Sequence, residues 1–317
     1  MFRTASLNDA CRRLCAVLLV VCTTGGAVQA ETRSLKMVVT AALVSNAGLD
    51  VYDDIAAYLS RKTGYKIQVV SGLSYAEANE ALANGAVEIG AICGLPYIHK
   101  AKVDQVELLT MPVMAVTAGT WPDVPGYEKV PGKYYSYTIV RKNSGIKNWS
   151  ELRGKTYVFN DIDSNSGYNM PRYKLVQLGA RSWTEYFSKV RASGSHEESI
   201  RMVAEGLVDA SSVDSLVLDF DRANNDPYAT NVRVIEVLFE GGAGAPPFVI
   251  SKKVDMSFKQ SLQDAMTSMH RDPEGSQILK RALLREFMLP NDTNYNDIRS
   301  FENAARKAGF QDFDLAH

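Results

Sequence analysis

Apolar positions along the chain fall into short runs of two kinds, and the kinds alternate. Leu35–Ala41 (LKMVVTA), Lys66–Val70 and Val87–Ile92 (VEIGAI) are rich in β-branched residues and read as strands. Between the first two, Leu49–Lys62 places Val51, Ile55, Tyr58 and Leu59 on one helical face, and Gly64 ends it. Tyr75–Leu82 is a second helix, closed near Gly85. A turn at Gly94-Leu95-Pro96 and an apolar stretch, Val106–Val116, complete the first series. Residues 117–133 (TAGTWPDVPGYEKVPGK) carry three prolines and three glycines and read as a connector. The rhythm then restarts. Strands are expected at Tyr135–Arg141, Thr156–Asn160, Phe187–Arg191, Val208–Val213 and Val232–Leu238. Helices are expected at Gly167–Leu178, before Gly179, and at Glu197–Glu205, before Gly206. GGAGAPP (241–247) is a second break, followed by the strand Phe248–Ser251. Helical patterns occupy 257–270, 274–287 and 295–308.

Strands alternating with helices imply crossover units, hence an α/β fold whose sheets are mostly parallel and flanked by helices. Two such series with two breaks imply two lobes. Lobe 1 comprises 31–117 plus 246–317, and lobe 2 is inserted as 133–240. Two crossings between lobes predict a hinge and a cleft. Ligands of open α/β sheets bind beyond the carboxyl ends of the strands, which directs attention to the strand-to-helix turns.

The first thirty residues change the picture of where the chain works. Arg3, Arg12 and Arg13 precede the apolar stretch Leu14–Cys22, and small residues end at Val28-Gln29-Ala30. This is the pattern of a secretory signal peptide cut after Ala30. Its removal takes away three arginines and one aspartate, so the net charge moves from −1 to −3. It also removes Cys11, Cys15 and Cys22, leaving Cys93 alone, so a monomer without a disulfide is expected. With Lys+Arg 35 against Asp+Glu 36 there is no basic field of the kind that binds nucleic acid. After residue 30 no apolar run reaches the roughly 18 residues of a membrane span.

Catalytic motifs fail on inspection. Gly154-Lys155-Thr156 ends like a phosphate-binding loop, but the required first glycine is Trp149. His99, His196, His270 and His317 have no ligand spacing, so neither metal nor cofactor is expected, and no nucleophile–base pair suggests an enzyme. Tyr134-Tyr135 reads as aromatic packing. An anion site survives. Asp163-Ser164-Asn165-Ser166-Gly167 joins a strand to a helix, where hydroxyls and unpaired backbone N–H groups gather at the positive end of the helix dipole. An ordinary N-cap is the alternative for these residues. Ser193-Gly194-Ser195-His196 forms a second such turn, in which Ser195 and His196 could add a hydroxyl and an imidazole. Asp214, at the end of LVDASSVD, would present a carboxylate to the cleft mouth and suit a ligand amine, whereas Asp209 reads as structural.

Two segments, KNSGIKNWSELRGKTYVFNDIDSNSGYNMPRYKL and SGSHEESIRMVAEGLVDASSVDS, resemble periplasmic phosphonate-binding proteins. These are receptors of phosphonate, phosphite and phosphate ABC importers with the two-lobed type II periplasmic binding fold. The likeness covers about 35–290 and extends to SYAEANEALANGAVEIGAI in lobe 1. It implies that Ser164, Asn165 and Ser166, with Gly167 beneath them, hold an anionic head group together with His196. It implies that Tyr52 and Tyr97 close over the ligand and that Asp214 sits near its substituent. The middle residue of the family's serine turn is often Thr, and here it is Asn165. The function implied is that of a periplasmic solute receptor which delivers a small oxyanion to an inner-membrane ABC permease. A receptor for a sulfonate or similar solute, or a ligand-sensing partner of a membrane kinase, is the alternative.

Overall fold

The computed structural model describes residues 33–40, 46–115 and 132–314; the expected leader and most of the 117–133 connector lie outside them. The first series folds as β1 (Ser34–Val39), α1 (Asn46–Thr63), β2 (Lys66–Val70), α2 (Tyr75–Asn84), β3 (Ile89–Ala91), α3 (Gly94–Lys102) and β4 (Val106–Met114). The second is β5 (Lys133–Arg141), β6 (Thr156–Phe159), α4 (Met170–Gln177), α5 (Trp183–Tyr186), β7 (Lys189–Ala192), α6 (His196–Glu205), β8 (Ala210–Asp214), α7 (Ser215–Ala223) and β9 (Val232–Gly244). The chain then returns through β10 (Phe248–Ser251), α8 (Lys259–Ser268), α9 (Pro273–Arg281), β11 (Leu284–Met288) and α10 (Asn296–Lys307).

The strands form two sheets, ordered β11-β4-β10-β3-β1-β2 and β7-β6-β8-β5-β9. In each, the crossover units pair in parallel: β2 and β3 flank β1, and β7 and β8 flank β6. The remaining pairings, β10 with β3 and β4, β11 with β4, and β5 with β8 and β9, are antiparallel. Both sheets are therefore mixed, with most strands of each running one way: β1, β2, β3 and β4 in the first, β6, β7, β8 and β9 in the second. The reversed strand β5 is the first of its sheet and β10 is the strand on which the chain returns to the other, and each inserts between strands that run the other way. Such insertions are invisible to strand–helix alternation, which reports crossovers only.

Several local expectations change. Gly94-Leu95-Pro96 opens a helix instead of making a turn. Pro96 lies in its first turn, where a missing N–H forfeits no intrahelical bond. The helical pattern expected at 274–287 breaks at Leu283, whose φ of 56° turns the chain into β11. The glycines of 241–244 continue β9 instead of breaking it, with Ala243 opposite Tyr134 and Gly244 opposite Lys133. A Cβ on Gly244 would stand 2.4 Å from the Asn294 carbonyl oxygen, so the glycine answers close backbone approach rather than flexibility. Only Ala245-Pro246-Pro247 remain as the return connection, and all three are buried. α7, which the pattern did not reveal, buries Val217, Leu218 and Phe220.

The ends of the strands are held by polar ties. Asp209 accepts from the backbone N–H and hydroxyl of Thr156 at 2.8 and 2.7 Å, the structural role expected for it. The C-terminal segment lies across the second sheet's helices: Asn169 Nδ2 donates to the Ile298 carbonyl at 3.2 Å, and Arg172 pairs with Asp312 at 2.5 Å.

Candidate functional site

β6 ends at Phe159, and the chain runs through Asn160 to a wide turn, Asn165–Asn169, before α4. Every residue of that turn is buried. Ser164 caps it: its hydroxyl accepts the Gly167 N–H at 3.0 Å, so this serine is already spent on local structure. The Asn165 N–H points at Cys93 Sγ, 3.2 Å away, and its Nδ2 donates to the Tyr134 hydroxyl at 2.8 Å. Asn165 Oδ1 accepts from Asn169 Nδ2 at 2.9 Å. The expected reserve of unpaired N–H groups is thus smaller than the sequence suggests, because Asn165 and Gly167 have partners. Ser166 differs. Its carbonyl accepts from the Ser136 hydroxyl at 2.6 Å, but its own hydroxyl is buried without a hydrogen-bond partner. Gly167 is required by packing, since a Cβ there would lie 1.8 Å from Asn160 Oδ1.

His196 is brought to the same place. The Asp214 backbone N–H donates to its Nδ1 at 3.3 Å, so the ring proton of the neutral imidazole sits on Nε2. Nε2 lies 3.3 Å from the Asn160 side-chain amide, which accepts when its oxygen is turned to that side. Burial pushes the His196 pKa down to about 3. The imidazole is therefore neutral above that value, because burial removes the water that would solvate its charge.

Asp214 caps α7, its Oδ1 accepting the Leu216 N–H at 2.8 Å, while Oδ2 is buried with no partner. Burial raises its pKa well above the usual carboxylate range, and the Leu216 N–H, neighbouring acids and Ser166 modify that only secondarily. Burial thus works against the charged form that an ion pair with a ligand amine would need.

The remaining candidates divide. Tyr52 is buried beside the cluster; desolvation raises its pKa first, and the Asp214 and Glu197 carboxylates add to this. Tyr97 points elsewhere: its hydroxyl donates to Asp292 at 2.6 Å and its ring packs 4.6 Å from that of Tyr295. Ser195 caps α6 by accepting the Glu198 N–H at 3.0 Å. Three residues that the sequence did not single out are drawn in. Tyr134 meets Asn165, Cys93 meets the same residue's N–H, and Tyr75 holds Asn160 at 3.1 Å. Of these only Tyr134 had a signal, the adjacent pair at the start of β5. Its partner Tyr135 projects to the opposite face of the strand.

The Tyr75–Asn160 and Cys93–Asn165 contacts, with Asn79 Nδ2 donating to Asp163 at 3.2 Å, join the helical side of the first sheet to the serine turn of the second. The polar cluster is thus enclosed between the two sheets. Among the described residues no group of three or more His, Cys, Asp or Glu could hold a metal ion, and no helix is long and apolar enough to cross a membrane.

Residues 37–295 match the family model described as the phosphonate periplasmic substrate-binding protein of ABC transporters. The chain belongs to that family. The probable ABC transporter phosphite-binding protein PhnD1 of Prochlorococcus marinus is 30% identical over 108 residues, which is 32% of this chain and 36% of the relative. The match thus spans about a third of that curated relative's length. The binding-protein component of an ABC phosphonate transporter from Pseudomonas aeruginosa superposes with a TM-score of 0.76 at 18% identity, covering 88% of each chain. The structure of Prochlorococcus marinus PhnD1 with methylphosphonate gives 0.69 at 19% identity, covering 87% of this chain and 99% of that one. These structural likenesses establish the two-lobed α/β architecture of type II periplasmic binding proteins.

Proposed function

We propose that this protein is the periplasmic receptor of an ABC importer and that it encloses a phosphonate-, phosphite- or phosphate-type oxyanion between its two sheets. One observation carries the reading. Ser166 Oγ and Asp214 Oδ2 are both fully buried and neighbour one another, and neither has a partner of good hydrogen-bond geometry, beside the His196–Asn160 pair. Buried polar atoms are rarely left unpaired, because each costs about 1–3 kcal/mol, and a small oxygen-rich ligand would satisfy both. Ser166 would donate its hydroxyl proton. Burial favours the protonated form of Asp214, and in that form Oδ2 would donate to an oxyanion that an ionised carboxylate would repel. Tyr52 would close over the ligand from the first lobe. Ser164, Asn165 and His196 would hold the shape of the site rather than the charge.

In this reading the lobes are 31–117 with 246–317, and 133–240. They close through the Tyr75–Asn160, Asn79–Asp163 and Cys93–Asn165 contacts, and the closed form is what the permease recognises. Residues 1–30 serve as the export signal and the secreted chain is monomeric. A relative supports the ligand class: Prochlorococcus marinus PhnD1 is named a probable phosphite-binding protein, and its structure is a complex with methylphosphonate. The test is a thermal-shift and calorimetric series with phosphate, phosphite, methylphosphonate, sulfate and taurine. A phosphorus oxyanion is expected to raise Tm and bind stoichiometrically. Response to none of them, or to sulfate or taurine alone, would overturn the reading.

A further inference from the structure

A pocket of about 310 Å³ opens on the second lobe, lined by residues that include Glu197 and Arg201 of α6, Asp221 of α7, and Asp226 and Tyr228 of the connection that follows. It is at the lower end of the roughly 300–1,000 Å³ found for small-ligand sites. Asp221 sets its chemistry. This residue is 6% exposed, and among the described residues no hydrogen-bond donor or cation meets its carboxylate. What does face it has the same sign: the Glu197 and Asp226 carboxylates both act on it. Positive charge is near but committed. Arg201 pairs with Glu198 at 2.6 Å and with Glu205. Arg222 donates to the Ala229 and Val232 carbonyls at 3.2 and 3.0 Å. A carboxylate buried among other acids without a counter-charge is costly, so a cation entering the pocket would be favoured.

A bare metal ion is not the cation that fits. Among the described residues no group of three or more His, Cys, Asp or Glu could hold one. The cation must instead reach separate carboxylates through separate donors. A guanidinium does so, with five N–H groups in a planar fork, weaker hydration than an ammonium and a face that stacks on aromatic rings. We propose that this pocket binds a guanidinium group, with Asp221 and Glu197 accepting its N–H donors and the Tyr228 ring against its face. Neither Ser166 nor Asp214 lines the pocket, so it is a second site, independent of the oxyanion reading. Burial first, then the Glu197 and Asp226 charges, raises the Asp221 pKa to about 8. Guanidinium binding to the ionised form therefore expels a proton at lower pH, and affinity should rise about 50-fold from pH 6 to pH 8.

Calorimetric titration of the purified protein with ethylguanidinium, propylammonium, Ca²⁺ and N-acetyl-arginine methylamide tests this. Ethylguanidinium is expected to bind one per chain, about 50-fold tighter at pH 8 than at pH 6. Propylammonium, a point charge without the planar fork, should bind at least about fivefold more weakly. Asp221→Asn should weaken ethylguanidinium about 10- to 150-fold and remove the pH dependence. Glu197→Gln should weaken it and keep the pH dependence, which decides the matter should the first variant not fold. Tighter binding of the blocked arginine than of ethylguanidinium supports the proposal and points to an arginine side chain of a partner protein. The reverse order supports it and points to a free small molecule. The proposal is overturned if neither guanidinium binds, if Ca²⁺ or propylammonium binds more tightly, or if Asp221→Asn leaves affinity unchanged.

Discussion

Ser166→Ala separates a ligand contact from a structural cap more cleanly than any other substitution in the serine turn. The Ser166 side chain is fully buried and its hydroxyl lacks a protein hydrogen-bond partner of good geometry. Removing that hydroxyl deletes no bond and relieves a buried unpaired group, so Tm without ligand should hold or rise slightly. With an oxyanion bound, the same hydroxyl would donate to a charged acceptor. A hydrogen bond to a charged partner is worth about 1.5–3 kcal/mol, so affinity should fall about 10- to 150-fold. Ser164→Ala is the internal contrast. Its hydroxyl accepts the Gly167 N–H at 3.0 Å, and losing such a cap costs about 1 kcal/mol of stability. It should lower Tm by a few degrees with a smaller effect on affinity. The assay is calorimetric titration of both variants with the tightest oxyanion of the series, alongside differential scanning calorimetry without ligand. Unchanged affinity in Ser166→Ala would refute the assignment of this hydroxyl to the ligand.

Two further expectations concern pH. Burial lowers the His196 pKa to about 3, against roughly 6.5 in an unfolded chain, so the unfolded state takes up the proton first as acid is added. The stabilisation from neutral His196 is complete above pH ~6.5 and is lost progressively as pH falls toward 3. His196→Gln should flatten the dependence of Tm on pH in that window, and an unaltered profile would show that this ring does not titrate on unfolding. Asp221 runs the other way: burial first, then the Glu197 and Asp226 charges, raises its pKa to about 8. The folded chain retains a proton that the unfolded chain loses near pH ~3.9, so stability should fall as pH climbs from 4 to 8. Asp221→Asn should raise Tm most at pH 8 and converge with the wild type near pH 4, as scanning calorimetry across that range would reveal.

Much of the architecture was legible along the chain because it rests on local periodicity. The strand–helix alternation located β1, β2, β3, β5, β6, β8 and β10 to within a few residues, and the stops at Gly64, Gly85, Gly179 and Gly206 coincide with the ends of their helices. Consecutive small polar residues before Gly167 marked the turn that now holds the orphaned Ser166 hydroxyl, since that composition is favoured both for capping and for binding. Tertiary structure alone decided which of those meanings applies to which residue. Ser164 and Ser166 are chemically identical and two positions apart, yet one is consumed by the Gly167 N–H and the other is left unpaired. Tyr97 and Tyr52 looked equivalent as tyrosines of the first lobe, until Asp292, 195 residues away in sequence, captured the hydroxyl of Tyr97. Strand order was equally hidden, because the reversed insertion of β5 and β10 is set by where the chain enters or returns to a sheet, not by the residues it contains. Charge state followed the same rule. Nothing beside His196 or Asp214 in sequence marks the direction of their shifts; burial removes water and so favours the uncharged form of each.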